Sequence, residues 1–208
     1  MAGITVFMKH TFMYSILFPT LALLTFSACK TNSDGNGATS EDLPKIYLWQ
    51  TSSSYVLGSS SFTRTSVDQA CSNSTTASTS CTTRTLAIIS ISSSDQISDF
   101  ATLYSVSGGA VYNRDGSTLI ASSWSALLQG AAESTLAGAG VTYSTGTAKL
   151  YATGSGSDGS YVPTGSCSGW TSTSGYTALG DGTIMSNHWL DETTGQCSGS
   201  YRLLCMCW

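Results

Sequence analysis

Apolar and polar positions alternate through Lys45-Ile46-Tyr47-Leu48-Trp49-Gln50, a period-two pattern in β-prone residues that predicts a first strand. Small polar residues over 51–61 predict a loop. Ser66 then stands as N-cap of a short helix over 67–71, with Asp68 near its N-terminus and Cys71 carried inward. The most strand-like run is Thr85-Leu86-Ala87-Ile88-Ile89-Ser90-Ile91, and an apolar stretch of this kind predicts a central strand. Helical spacing of apolar residues over 94–103, behind a serine cap at Ser94, predicts a second helix. Ala110-Val111-Tyr112-Asn113 runs into Arg114-Asp115-Gly116, where Asp-Gly marks a turn. A third helix carries clearer signals: Ser122 as N-cap, Gly130 as C′ residue, and Trp124, Leu127 and Leu128 on one face to be buried against the central sheet. A last strand is predicted over 201–206, and no internal repeat of solenoid length is visible.

The longest apolar run lies elsewhere, over 12–24, behind Lys9 and His10 and broken by Pro19. It has the length of a signal-peptide core and is too short for a comfortable membrane span. Leu24-Thr25-Phe26-Ser27-Ala28-Cys29 follows and resembles a bacterial lipobox, with Phe26 where the tightest form of the pattern has leucine. Cys29 is then the lipidated first residue of the mature protein, held at a membrane by acyl chains. The other reading is an ordinary secretory leader cut near Ala28, with Cys29 incidental. Residues 30–44 are rich in turn formers without apolar periodicity and read as a flexible tether. The chain thus divides into a leader (1–28), a lipidated cysteine with tether (29–44) and one domain (45–208).

Composition narrows the class. Charged residues are only 10% of the 208, while five Trp, ten Tyr and six Phe supply bulk for a core, which argues for a folded, loop-rich domain. A net charge of −4 without a basic patch excludes an electrostatic grip on nucleic acid. With Cys29 set aside, six cysteines remain, an even number that an oxidising compartment can pair completely. Cys205 and Cys207 fall on one face of the last strand, which suits two disulfides better than a soft metal. Staples rather than a large apolar interior are therefore expected to hold the domain together.

Candidate chemistry is sparse. His188 is the only histidine beyond the leader, with Asp191 and Glu192 close by in sequence. A hydrolytic triad needs convergence in space, and abundant serine makes coincidence cheap, so the reading is non-enzymatic. No HExxH, paired Cys-x-x-Cys or phosphate-cradling glycine motif occurs.

The order of Cys71 in a short helix, Trp124 in a Ser-Trp-x-Ala-Leu helix, Gly154 after an aromatic strand, then Cys167, Trp170, Cys197 and Cys205 resembles the C-type-lectin-like fold. Within it the chain is most similar to the endostatin-like branch and to the DUF1554-type lipoprotein domain common in Leptospira, over roughly 45–208. The resemblance implies an α+β fold with a mixed, mostly antiparallel sheet, short helices and long disulfide-closed loops. It implies the pairs Cys71–Cys205 and Cys167–Cys197, which leave Cys81 and Cys207, each flanking a family half-cystine, for each other. Each link stabilises by roughly 3 to 5 kcal/mol in the chain-entropy model.

Departures from the family limit what carries over. The Glu-Pro-Asn or Gln-Pro-Asp triplet of calcium-dependent lectins is missing, and Trp189-Leu190-Asp191 lacks the central amide side chain. Endostatin's zinc-binding histidines and heparin-binding arginines have no counterpart here. The long-loop region where this fold usually binds ligands holds Tyr151, Asp158, Tyr161, Tyr176, Asp181, Trp189 and Asp191 as a candidate ligand surface, with Trp170 assigned to the core. Asp158, Asp181, Asp191 and Glu192 are candidate calcium ligands, although turn chemistry explains the Asp-Gly pairs equally well. No other cofactor is expected. The expected function is a lipid-anchored protein of the bacterial outer membrane that binds a host, matrix or glycan-bearing macromolecule without catalysis. The alternatives are a structural or interaction component of the outer envelope and, third, a hydrolase.

Overall fold

The computed structural model describes residues 43–58, 62–81 and 84–208. The leader, Cys29 and residues 30–42 of the tether lie outside the described residues. The described chain is an α+β structure with mostly antiparallel sheets, short helices and three disulfides.

The centre is a five-stranded sheet in the order β3-β10-β1-β4-β5, built from β1 (Ile46–Gln50), β3 (Thr85–Ala87), β4 (Val111–Asn113), β5 (Leu119–Ala121) and β10 (Leu204–Cys207). Only the β1–β4 pair is parallel. The first and last strands of the domain thus lie side by side, with Trp49 opposite Cys205. Alternation along both strands feeds two cores, because successive side chains of a strand point to opposite faces. Ile46, Leu48, Leu204 and Met206 enter one with Phe100, Trp124, Leu127 and Trp189. Trp49, Cys205 and Cys207 enter the other with Val67, Cys71, Cys167 and Trp170. The interior is therefore larger than the sequence suggests, and the staples sit inside one of its two halves.

Two smaller sheets complete the fold. β2 (Tyr55–Val56) pairs with β9 (Ser200–Tyr201). β6 (Leu150–Ala152), β7 (Tyr176–Asp181) and β8 (Thr193–Gln196) form an antiparallel meander. Cα–Cα separations of 5.6, 5.7 and 5.6 Å across Cys71–Cys205, Cys81–Cys207 and Cys167–Cys197 lie within the range that disulfide geometry demands.

Several elements differ from the sequence expectations for identifiable reasons. Helix α1 (Arg64–Ser72) begins earlier than predicted, because Thr63 is the N-cap and Ser66, three residues on, returns a bond to the Thr63 N–H at 2.8 Å. The run 85–91 is an edge strand of only three residues: after Ile88 donates to the Leu204 carbonyl at 2.8 Å, the chain leaves the sheet, and Ser90 bonds the Thr153 carbonyl at 2.8 Å. Ile88 and Ile89 are buried where the chain passes from the central sheet to the meander, not by sheet neighbours on both sides, and Ile91 is half-buried. Residues 97–99 form a 3-10 turn ahead of helix α2 (Phe100–Tyr104), and Ser94 caps neither. Helix α3 (Trp124–Leu128) is capped by Ser123, whose Oγ accepts the Ala126 N–H at 3.0 Å, one residue after the expected cap. It ends as expected at Gly130, with φ of +76°, and two bonds close the C-terminus: Gly130 N–H to the Leu127 carbonyl and Ala131 N–H to the Ala126 carbonyl. Strand β5 follows the Asp115-Gly116 turn and had no prediction. The last strand is split, since Arg202 and Leu203 separate β9 from β10.

Candidate functional site

The long loops leave the meander, and their shape is set by the Cys167–Cys197 bridge and by Trp170. Residues Cys167, Ser168, Gly169 and Trp170 all have positive φ, between 52° and 70°, a left-handed turn that non-glycine residues avoid. Three contacts hold it. Ser166 accepts the Gly169 N–H, Cys167 is fixed to Cys197, and the buried Trp170 indole donates to the Ser90 carbonyl at 3.0 Å while tilting against Phe62.

Burial divides the seven candidate ligand-surface residues. Tyr151 is fully buried and its hydroxyl donates to the Trp189 carbonyl at 2.6 Å; burial, helped by the Asp181 charge, keeps that phenol protonated well above its ordinary range. Trp189 is equally buried, its indole N–H bonded to the Leu127 carbonyl at 3.0 Å. Asp181 is buried as well, in an ion pair of 2.6 Å with Lys149 and two bonds from Thr183. Tyr151 and Trp189 are packed into the core of the central sheet and Asp181 is covered through its pairing with Lys149 and Thr183, so the three are removed from the candidate surface.

The remaining four reach solvent to different degrees. Asp158 is exposed, and its Oδ1 accepts from the Ser160 N–H and hydroxyl at 2.9 and 2.5 Å, a local turn that lowers its pKa. Tyr161 is half-buried, with its hydroxyl accepting from Ser166 at 2.7 Å. Asp191 is half-buried and its carboxyl is pushed up by desolvation, with the Asp158 and Glu192 charges adding to this and His188 opposing it. Tyr176 is 58% exposed.

The calcium candidates do not form one site. Asp181 is committed to Lys149 on the meander, and among the described residues no three His, Cys, Asp or Glu side chains are grouped to hold a metal ion. His188 is exposed, its Nδ1 lying 3.2 Å from the main-chain carbonyl of Asp191.

What the loops do assemble is a shelf at one end of the meander. Tyr176, the first residue of β7, lies directly opposite Gln196, the last of β8, so both side chains stand on one face. Thr173, Ser174, Gly175 and Ser198 complete the lining of an open, polar depression of about 200 Å³. Cys197 anchors its floor through the disulfide and through its N–H, which bonds the Gly175 carbonyl at 3.0 Å.

The chain matches no protein-family model and no curated protein. Gln196 and Ser198 were not singled out in the sequence. Their only signal there is that they flank Cys197, whose bridge fixes the backbone on which they stand. Among the described residues, no helix is long and apolar enough to cross a membrane.

Proposed function

We propose that this chain is an exported, lipid-anchored surface protein of a bacterial outer membrane whose domain, of C-type-lectin-like, DUF1554-type fold, is a non-enzymatic binding module for a host, matrix or glycan-bearing macromolecule. The observation that carries the binding role is the Tyr176 shelf. An exposed phenol ring beside an amide and several hydroxyls, on a backbone held by a disulfide, has the chemistry of a sugar-binding surface. The ring covers an apolar C–H face, and Gln196, Ser174 and Ser198 exchange hydrogen bonds with sugar hydroxyls at little ordering cost.

Support for the fold reading comes from the adjacency of the first and last strands and from the nested bridges Cys71–Cys205 and Cys167–Cys197. Export is supported by six paired cysteines, which persist in oxidising compartments.

The test is binding of the oxidised full-length protein to a glycan array and to a panel of matrix proteins, beside Tyr176→Ala. Binding that Tyr176→Ala weakens at least about tenfold, with an unchanged melting temperature, supports the proposal. A folded protein silent on both panels, or binding untouched by the substitution, overturns it.

A further inference from the structure

Three of the four edges of the two larger sheets are taken up by other parts of the chain. Arg64 and Asp68 bond the Ala87 carbonyl and N–H on β3, the Glu133 N–H bonds the Ile120 carbonyl on β5, and the Arg202 carbonyl accepts the Ala152 N–H on β6. Among the described residues the fourth edge, the outer side of β8, has no such cover. What it offers follows from the register. The Cys197 N–H donates to the Gly175 carbonyl at 3.0 Å, and antiparallel pairs alternate between bonded and non-bonded, so Thr193, Gly195 and Cys197 turn their main-chain groups to β7. Thr194 and Gln196 turn theirs outward, and both residues are exposed. The Gln196 carbonyl accepts the Gly199 N–H at 2.9 Å. That leaves the Thr194 N–H, the Thr194 carbonyl and the Gln196 N–H without a partner among the described residues.

A bare edge invites pairing with another chain, and folds guard against it with lysine, proline or a covering element. β8 contains neither lysine nor proline. Its surroundings carry one sign of charge. No Lys or Arg occurs between Lys149 and Arg202, of which the first is paired with Asp181 and the second donates to the Thr51 and Ser52 carbonyls. At the N-terminal end of the strand stand the half-buried Asp191 and the exposed Glu192. Burial pushes the Asp191 carboxyl up, and the Asp158 and Glu192 charges add to this against His188, so three carboxylates feel one another where β8 begins.

We infer that the outer edge of β8 is a docking strand for an extended, basic segment of another protein, which joins the meander as its fourth strand. A main chain in β conformation presents N–H and carbonyl groups at the spacing that β8 leaves open. One of its residues exchanges both bonds with Thr194, and a neighbour two residues away supplies a carbonyl to the Gln196 N–H. Lys or Arg at the end that passes Asp191 and Glu192 answers the carboxylates. A second copy of this chain fits worse, because its own β8 is flanked by the same carboxylates and brings no cation. The inference does not rest on the Tyr176 shelf, which uses the Gln196 side chain where docking uses its N–H.

The experiment is capture of the oxidised full-length protein on an array of random dodecapeptides, followed by titration of the bound peptides in solution. These peptides are expected to carry net positive charge, to bind with Kd of about 10 to 100 μM and to weaken as salt rises. Only alternate residues of an added strand turn toward β8, so N-methylation of one alternate set is expected to abolish binding and of the other set to leave it unchanged. Thr194→Pro removes the central donor at an edge position that tolerates proline, and is expected to lower affinity at least about tenfold with an unchanged melting temperature. Glu192→Arg is expected to lower it about three- to tenfold. The N-methyl comparison needs no variant and decides alone if Thr194→Pro melts early. A folded protein that captures no peptide at about 0.1 mM, a preference for acidic peptides, indifference to N-methylation of either set, or self-association of the parent that Thr194→Pro removes overturns the proposal.

Discussion

Arg64 grips Asp95 with two parallel bonds, Nε to Oδ2 at 3.0 Å and Nη2 to Oδ1 at 2.9 Å. The same guanidinium donates to the Ala87 and Ile89 carbonyls at 2.8 and 2.6 Å, while Asp68, one turn along α1, accepts the Ala87 N–H at 2.9 Å. Helix side chains thus take the place of the missing neighbour on the outer edge of β3. An ammonium group cannot make this fork, so Arg64→Lys is expected to lose about 2 kcal/mol and Arg64→Ala about 3 or more. Urea midpoints at constant slope measure this, and a loss under about 0.5 kcal/mol in both variants would show the edge to be held by something else.

The two long bridges are predicted to be redundant. Cys71–Cys205 and Cys81–Cys207 close separations of 134 and 126 residues between almost the same two places. Once either is formed, the other closes only the small ring made by 71–81 and 205–207. In the chain-entropy model the first is worth about 5 kcal/mol and the second about 3. Removing either pair alone by Cys→Ala should therefore cost about 3 kcal/mol, and removing both about 8, more than the sum of the singles. Equal costs that simply add would contradict this account.

The local reading of the sequence succeeded where a signal was both local and paired with a face. β1 carries a period of two, and α3 a buried stripe between a serine cap and a left-handed glycine. It failed for 85–91 because an apolar run reports burial without saying what does the burying. Here α1's charged pair and the meander replace sheet neighbours. Tyr151, Trp189 and Asp181 were misplaced for a related reason. Aromatic and acidic residues in loop-rich sequence look exposed, yet the Tyr151 hydroxyl and the Trp189 indole each find a buried main-chain carbonyl far away in sequence, and the buried Asp181 carboxylate pairs with the half-buried Lys149.

Gly180 illustrates one such long-range constraint. A Cβ there would run into the Trp189 carbonyl and the Tyr151 ring, the two groups joined by the Tyr151 hydroxyl bond. Both are fully packed, so Gly180→Ala should destabilise by about 2 kcal/mol or more through displacement of β6 from β7. Tyr151→Phe, which only orphans a buried carbonyl, should cost about 1 to 2 kcal/mol. Thermal unfolding orders the pair, and a Gly180→Ala protein as stable as the parent would mean that the meander tolerates a wider spacing.

Asp181 makes the acid limb of stability legible. Burial disfavours its charge, but the Lys149 ammonium and the Thr183 hydroxyl and N–H outweigh that and hold its carboxyl below the ordinary value. In the unfolded chain it titrates near 3.9, so between the folded and unfolded values the unfolded state binds more protons and stability rises with pH. The contribution is complete above about pH 5 and is lost as pH falls through the folded value. Asp68 acts in the opposite direction, its carboxyl pushed up by burial despite the Ala87 N–H and Arg64, but it is common to both proteins of a comparison. Subtracting the stability of Asp181→Asn from that of the parent therefore isolates Asp181. That difference is expected to be constant above about pH 5 and to shrink below it, and a difference curve flat down to about pH 2 would show that the Lys149 pairing contributes nothing to the fold.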